Sequence, residues 1–461
     1  MHYDVAIIGA GMSGLAAGIR LAYFNRRVCI LERHEVYGGL NSFYRLGGRE
    51  FDVGLHAVTN VVPAGVRSAP LPKLLRQLRI PREEFDLRPQ RFSEVRFPGV
   101  RLRFSNEAEL LLEDVAGAFP GQVDRFRRLV ADVAAYDDGS LEITPRSARG
   151  VLGEYLDDPL LIEMLLCPTM FYGSPSEHDL DFTHFVTLFK AIVLQGLARP
   201  RDGVRTILKT LVRRFRACGG RLRTRCGVER IETDGRAVTG LVLDSGDRVT
   251  ADVYFSSAGF PETLRLCGAA GGAPPGEPPG RLSFMESISC LDTSPAELGL
   301  EAAVTFFNHA DRFVYATPDA LVDPRSGVVC CPNNFQDHEH LPEGIVRVTS
   351  LADHRRWKSL ERAAYEAAKG DAYRTTVAEA VRFVPDYRDH VVFCDVFTPL
   401  TIERFTGHLG GAVYGAPAKR RDGRTPLNNL FICGTDQGLV GIVGTMLSGI
   451  WMANLHVLQD S

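Results

Sequence analysis

The sequence predicts an α/β protein (α+β overall) built on a βαβ unit and enlarged by a second part rich in apolar helices. Three observations carry this. The chain opens with a short β-branched strand, a Gly-x-Gly-x-x-Gly turn and a helix leading to a second strand that ends in an acid. Three short strands separated by Asp-Gly and Ser-Gly turns stand in the middle, and near the C-terminal end another strand runs into a glycine turn and an apolar helix. Between these stretches, apolar residues recur at helical spacing.

At 461 residues the chain has room for two or three domains with a large core. Hydrophobic residues make up 45% and charged residues 24%, which excludes a disordered polar chain and a coiled coil. The formal net charge of -3 gives no general attraction to nucleic acid. Ten cysteines are scattered, with only Cys330 and Cys331 adjacent and no C-x-x-C pair, so no metal site is expected and the thiols read as small buried hydrophobes in a reducing compartment. Met1 leads into a strand without a basic n-region or cleavage site, and a cytoplasmic protein is expected.

Asp4-Val5-Ala6-Ile7-Ile8 reads as a buried parallel strand. Gly9 permits the tight turn that follows, Gly11 lets backbone N–H groups approach a pyrophosphate, and Gly14 allows helix and strand to pack closely. The helix N-terminus then faces the phosphates. Glu32 closes the second strand, placed for an adenosine ribose hydroxyl, and disfavours a 2′-phosphate there.

Gly38-Gly39-Leu40, Phe51 to His56, Leu430 to Asp436 and Gly441-Ile442-Val443-Gly444 complete a pattern that resembles the FAD-binding amine-oxidase superfamily, most closely its phytoene desaturase, carotenoid isomerase and retinol saturase branch. The resemblance implies non-covalently bound FAD, since Ser448-Gly449-Ile450-Trp451 stands where an amine oxidase often carries a covalent flavin cysteine. It assigns Ser13 and the glycine turn to the pyrophosphate, Glu32 and Arg33 to the adenosine side, and Gly38, Gly39 and Leu40 to the ribityl-flavin stretch. Leu40 replaces a common Arg, so only its backbone would contribute. Val228 would meet adenine through its backbone, Ala258 would pass close to the cofactor, and Gly434 and Asp436 would serve the ribityl or pyrophosphate portion. Gly441 and Val443 open a helix whose positive end would face the flavin. A second family-like stretch, Thr398 to Gly407, contains Arg404.

The middle strands, around 228–232, 237–243 and 248–255, follow a helix built on Val204, Ile207, Leu208, Leu211, Val212 and Phe215. The resemblance assigns these elements to a discontinuous, Rossmann-like FAD domain of residues 1–63, 200–265 and 395–461, with a substrate domain in 64–199 and 266–394. Asn106 with Glu109 reads as a capping box, Val123, Phe126, Val130 and Val133 as one helix face, and the runs from Leu160 to Tyr172 and Phe182 to Leu197 as core helices or as walls of an apolar substrate tunnel. The tunnel is the reading that the resemblance favours.

The uncharged stretch from Gly438 to Asn454 is long enough to suggest a membrane span, but its small residues point to a buried helix packed on another backbone. Residues 67–103 carry a net charge of +6 with leucines interleaved. A solvated face and a patch resting on anionic membrane lipid both fit that pattern.

The implied reaction alters a C–C bond of a long apolar isoprenoid or polyene by desaturation, saturation or isomerisation, and the sequence does not choose among them. His56, two positions after Gly54, and Arg404 are the catalytic candidates, with Tyr172 as a further tunnel residue. A flavin amine oxidase and a prenyl-lipid carrier resembling the Rab GDP dissociation inhibitors are the alternatives.

Overall fold

The computed structural model describes residues 2–54, 57–138, 144–268, 277–337 and 341–459. Two seven-stranded sheets organise them. In the first, strand His2–Ile8 runs parallel to Val28–Leu31 on one side and to Arg248–Ser256 on the other. Arg221–Arg223 extends one edge, Leu430–Ile432 pairs with the end of Arg248–Ser256, and Val228–Thr233 and Val238–Leu243 add an antiparallel ribbon. Strands from three distant stretches therefore share one sheet.

The opening strand is buried on both faces, as its unbroken apolar run requires. Val5 and Ile7 join the core formed by helices Met12–Tyr23, Val204–Ala217 and Gly441–Ala453, while Ala6 and Ile8 face the ribbon side. The last helix continues to Leu458 and is the one segment among the described residues long and apolar enough to cross a membrane. Here it lies along the first helix: a Cβ on Gly449 would stand 2.1 Å from the Ser13 carbonyl oxygen, so only glycine allows this approach.

The second sheet has the order Val391–Phe397, Ser283–Leu291, Gly344–Ala352, Ser326–Cys330, Val304–Asn308, Ser93–Phe97, Val100–Phe104. Its apolar face packs against helices from Glu109–Ala118 to Phe182–Phe189. Helix Pro159–Gly173 is apolar all round and is buried accordingly, with Asp158 capping it through the Leu160 N–H at 2.9 Å.

One expectation is corrected. Asn106 does not cap the helix that begins at Glu109; its amide, which supplies donor and acceptor together, pairs with both backbone groups of Leu197, at 2.8 and 3.0 Å. Helix Pro70–Leu78, from the basic stretch, turns Leu71, Leu74, Leu75 and Leu78 into the core beside the first and last helices. Its interleaved leucines cover protein.

Candidate functional site

Four parallel strands end at the same edge of the first sheet, and their carboxyl ends carry Gly9 to Gly14, Glu32, Ser257-Ala258 and Cys433-Gly434. Such an edge is where open α/β sheets bind ligands. The Gly9 N–H donates to Leu31 O at 2.8 Å, and a Cβ on Gly14 would stand 2.2 Å from Gly9 O, so helix and strand meet without side chains between them. Gly11 is different. A Cβ there would meet nothing within 4 Å, and its backbone is extended, so the space above it is open cradle.

The neighbouring residues shape that cradle. The Glu32 carboxylate accepts from Ala10 N–H at 2.9 Å and His34 N–H at 3.0 Å, which ties the turn to the second strand. Gly38 donates to Ala10 O at 3.0 Å, and a Cβ on Gly39 would come 3.7 Å from Gly11 Cα, so the double glycine lies against the turn. Ser13 faces Gly434, whose Cβ would fall 2.8 Å from Ser13 Oγ. Ser257 Oγ donates to Ile8 O at 2.9 Å and fixes Ala258 beside the turn. Val228 stands further out, paired with Leu243, and Val443 is buried in the core.

Arg33 lies across the outer rim, donating to Arg404 O at 2.8 Å. Arg404 itself is exposed, with its guanidinium over the Phe405 ring, and does not stand on the cavity wall described below. Its backbone carbonyl, not its side chain, makes that rim contact. His56 lies outside the described residues. Asp436 is buried, and its oxygens accept from Phe260 N–H at 2.7 Å and Ala416 N–H at 2.8 Å, with Lys419 Nζ at 3.8 Å. Its carboxylate thus braces three segments around the site. Burial lowers the Lys419 ammonium to about 8, against the pull of Asp436.

A cavity with about 1130 Å³ of atom-free space, partly open to solvent, begins at Leu40, Gly54, Thr435 and Gly441 and extends between the two sheets. Phe171, Tyr172, Phe284, Phe306, Phe397 and Tyr414 supply its aromatic wall. Glu286 is the one carboxylate among its described lining residues. Arg347 Nε donates to Glu286 Oε1 at 2.7 Å and Thr349 Oγ1 to Oε2 at 3.2 Å. A second buried pair, Arg199 with Asp52 at 2.5 Å, stands beside it, close enough for Asp52 to stabilise the Arg347 charge. Sequence reading missed Glu286 and Arg347. Their signal was one acid and one base, each alone in an apolar strand, which the register Glu286↔Thr349 and Ile288↔Arg347 brings onto a diagonal.

Comparison with known proteins agrees with this geometry. Residues 12–264 match the family described as flavin containing amine oxidoreductase. The chain is 22% identical to prolycopene isomerase 2, chloroplastic, of an Oncidium hybrid cultivar, over 98% of this chain and 83% of the relative. It is 23% identical to the all-trans-retinol 13,14-reductase of Danio rerio, over 98% and 87%. Among solved structures, an oxidoreductase from Methanosarcina mazei superposes with a TM-score of 0.66 at 14% identity, covering 98% of this chain and 99% of that one, which establishes a shared fold.

Proposed function

Because this chain belongs to the flavin containing amine oxidoreductase family and is an FAD-dependent oxidoreductase, we propose that it alters a C–C single or double bond of a long apolar isoprenoid or polyene. The open space over Gly11, flanked by Gly39 and by Ser13 facing Gly434, fits a pyrophosphate held by backbone N–H groups at a helix N-terminus. We assign Gly9, Gly11, Ser13, Gly14, Glu32, Gly38, Gly39, Ala258 and Gly434 to the nucleotide, and Leu40, Gly441 and the helix N-terminus to the flavin end. Bound FAD supplies a two-electron hydride acceptor or donor.

The observation that carries the substrate reading is the state of the cavity's carboxylate. A free anion on the wall would favour a cationic amine, whereas Glu286 is already neutralised by Arg347 and bonded to Thr349. The rest of the wall is dominated by aromatic and aliphatic side chains that exclude water and align a flexible hydrocarbon. The relatives named for prolycopene and retinol support the same substrate class.

The test incubates holoenzyme with candidate polyenes under oxidising and reducing conditions and follows product mass and retention. Loss of two hydrogens identifies desaturation, gain identifies saturation, and unchanged mass with a shifted spectrum identifies isomerisation. No change in any polyene, together with turnover of amines, would replace this reading by amine oxidation.

A further inference from the structure

The helices around the nucleotide groove are anchored very unequally. Met12–Tyr23 buries ten of its residues and Gly441–Ala453 eight, so both move only with the core. Helix Pro399–Thr406, on the outer side, buries Pro399 alone, and its Phe405 ring is exposed. An element with so few buried contacts belongs to the low-stability end of a fold, where local opening occurs.

This helix nevertheless spans the groove from end to end. Ile402 stands on the cavity wall with Leu40 and Gly441, at the flavin end. Arg404 O accepts from Arg33, beside Glu32, at the adenosine end. Between them the helix packs against the turn Gly39–Asn41. Its main fastening lies outside the groove: His354 Nε2, on the short helix His354–Lys358, donates to Glu403 Oε2 at 2.7 Å, and Lys358 Nζ stands 3.8 Å from the same oxygen. The His354 side chain is buried and has no place on the groove wall.

Resting on the assignment of this groove to FAD, we infer that helix Pro399–Thr406 is the gate through which the cofactor enters and leaves, latched by Glu403 on His354. A latch outside the groove favours the closed state equally with and without FAD. Weakening it raises the open population in both, so uptake and release quicken by one factor and affinity is unchanged. A residue of a fixed wall acts otherwise, since its loss loosens FAD and quickens release alone.

Release is measured as loss of radiolabelled FAD from the holoenzyme during a chase with unlabelled FAD, and uptake as the rate at which protein freed of flavin quenches the fluorescence of added FAD. His354→Leu and Glu403→Ala are each expected to speed both rates about fivefold, the equivalent of about 1 kcal/mol, with the dissociation constant within about twofold of wild type. The double variant should be no faster than Glu403→Ala, because both changes remove one contact. Faster release with unchanged uptake, or no change in either rate, would overturn the inference and leave the groove assignment standing. Should both variants fail to fold, hydrogen exchange of the wild-type holoenzyme decides: amides of Glu403 to Thr406 should exchange through an opening far easier than that of Gly441–Ala453, and equal protection would overturn the gate. Wild-type protein that takes up no FAD would overturn the groove assignment and the gate together.

Discussion

Arg347 reaches from one strand of the second sheet to Glu286 on the next, donating from Nε at 2.7 Å, and the pair leaves the substrate cavity without a free charge on its described wall. Both side chains are almost fully buried. Removing one partner strands the other in a low-dielectric site, whereas removing both leaves an apolar wall.

Glu286→Gln and Arg347→Met should therefore each destabilise the protein by about 3–5 kcal/mol, and Glu286→Leu combined with Arg347→Met by much less than their sum. Urea midpoints of the single and double variants check this. Additive losses would show that the two side chains act independently.

Gly11→Val should abolish FAD loading while changing the stability of the cofactor-free protein by less than about 1 kcal/mol, because a Cβ there meets only open space. Gly14→Ala should behave oppositely, costing at least about 2 kcal/mol through its collision with Gly9 O. Flavin absorbance after gel filtration, set beside thermal melts, separates the two effects. Wild-type chromophore should pass to the supernatant on heat denaturation, as non-covalent binding requires.

His184 sets an acid limit to stability. Burial lowers its imidazole to about 4, aided by the charges of Lys419 and Arg421, and its Nε2 is sealed without a partner. Between about pH 4 and 6.5 the unfolded chain binds the proton and the folded one does not, so stability is complete above that window and falls by up to about 3 kcal/mol as the pH drops through it. His184→Phe should flatten this part of the pH–stability curve, measured by denaturant titration.

We also propose weak binding to anionic membranes. Arg67, Lys73, Arg76 and Arg79 are exposed along the length of the helix Pro70–Leu78 and its flanks, with Arg79 over the exposed ring of Tyr23. Flotation with anionic vesicles should be lost at 1 M salt, where the Debye length is ~3 Å, and should weaken when these four residues are changed to Gln. Equal flotation with neutral vesicles would assign them to a solvated face.

The dinucleotide turn was legible because its logic is local: Gly9, Gly11 and Gly14 lie within six residues, and strand, turn and helix follow directly from them. The charged wall was not, since Glu286 and Arg347 are 61 residues apart and meet only through strand register. Asp436 shows the same limit. Its motif marked it for the cofactor, but a carboxylate that binds the amides of Phe260 and Ala416 owes its place to chain segments that no local pattern connects. The leucines of Pro70–Leu78 were visible only as apolar residues interleaved with charge, and which surface they cover was decided by the first and last helices.

The most direct test of the account follows the visible band of the bound flavin under anaerobic conditions, starting from the oxidised and the reduced holoenzyme, with polyenes and with primary amines. A polyene should change the band, or be converted itself, in at least one of the two states, and amines should leave the oxidised band intact. Rapid bleaching by amines with every polyene unchanged would contradict it.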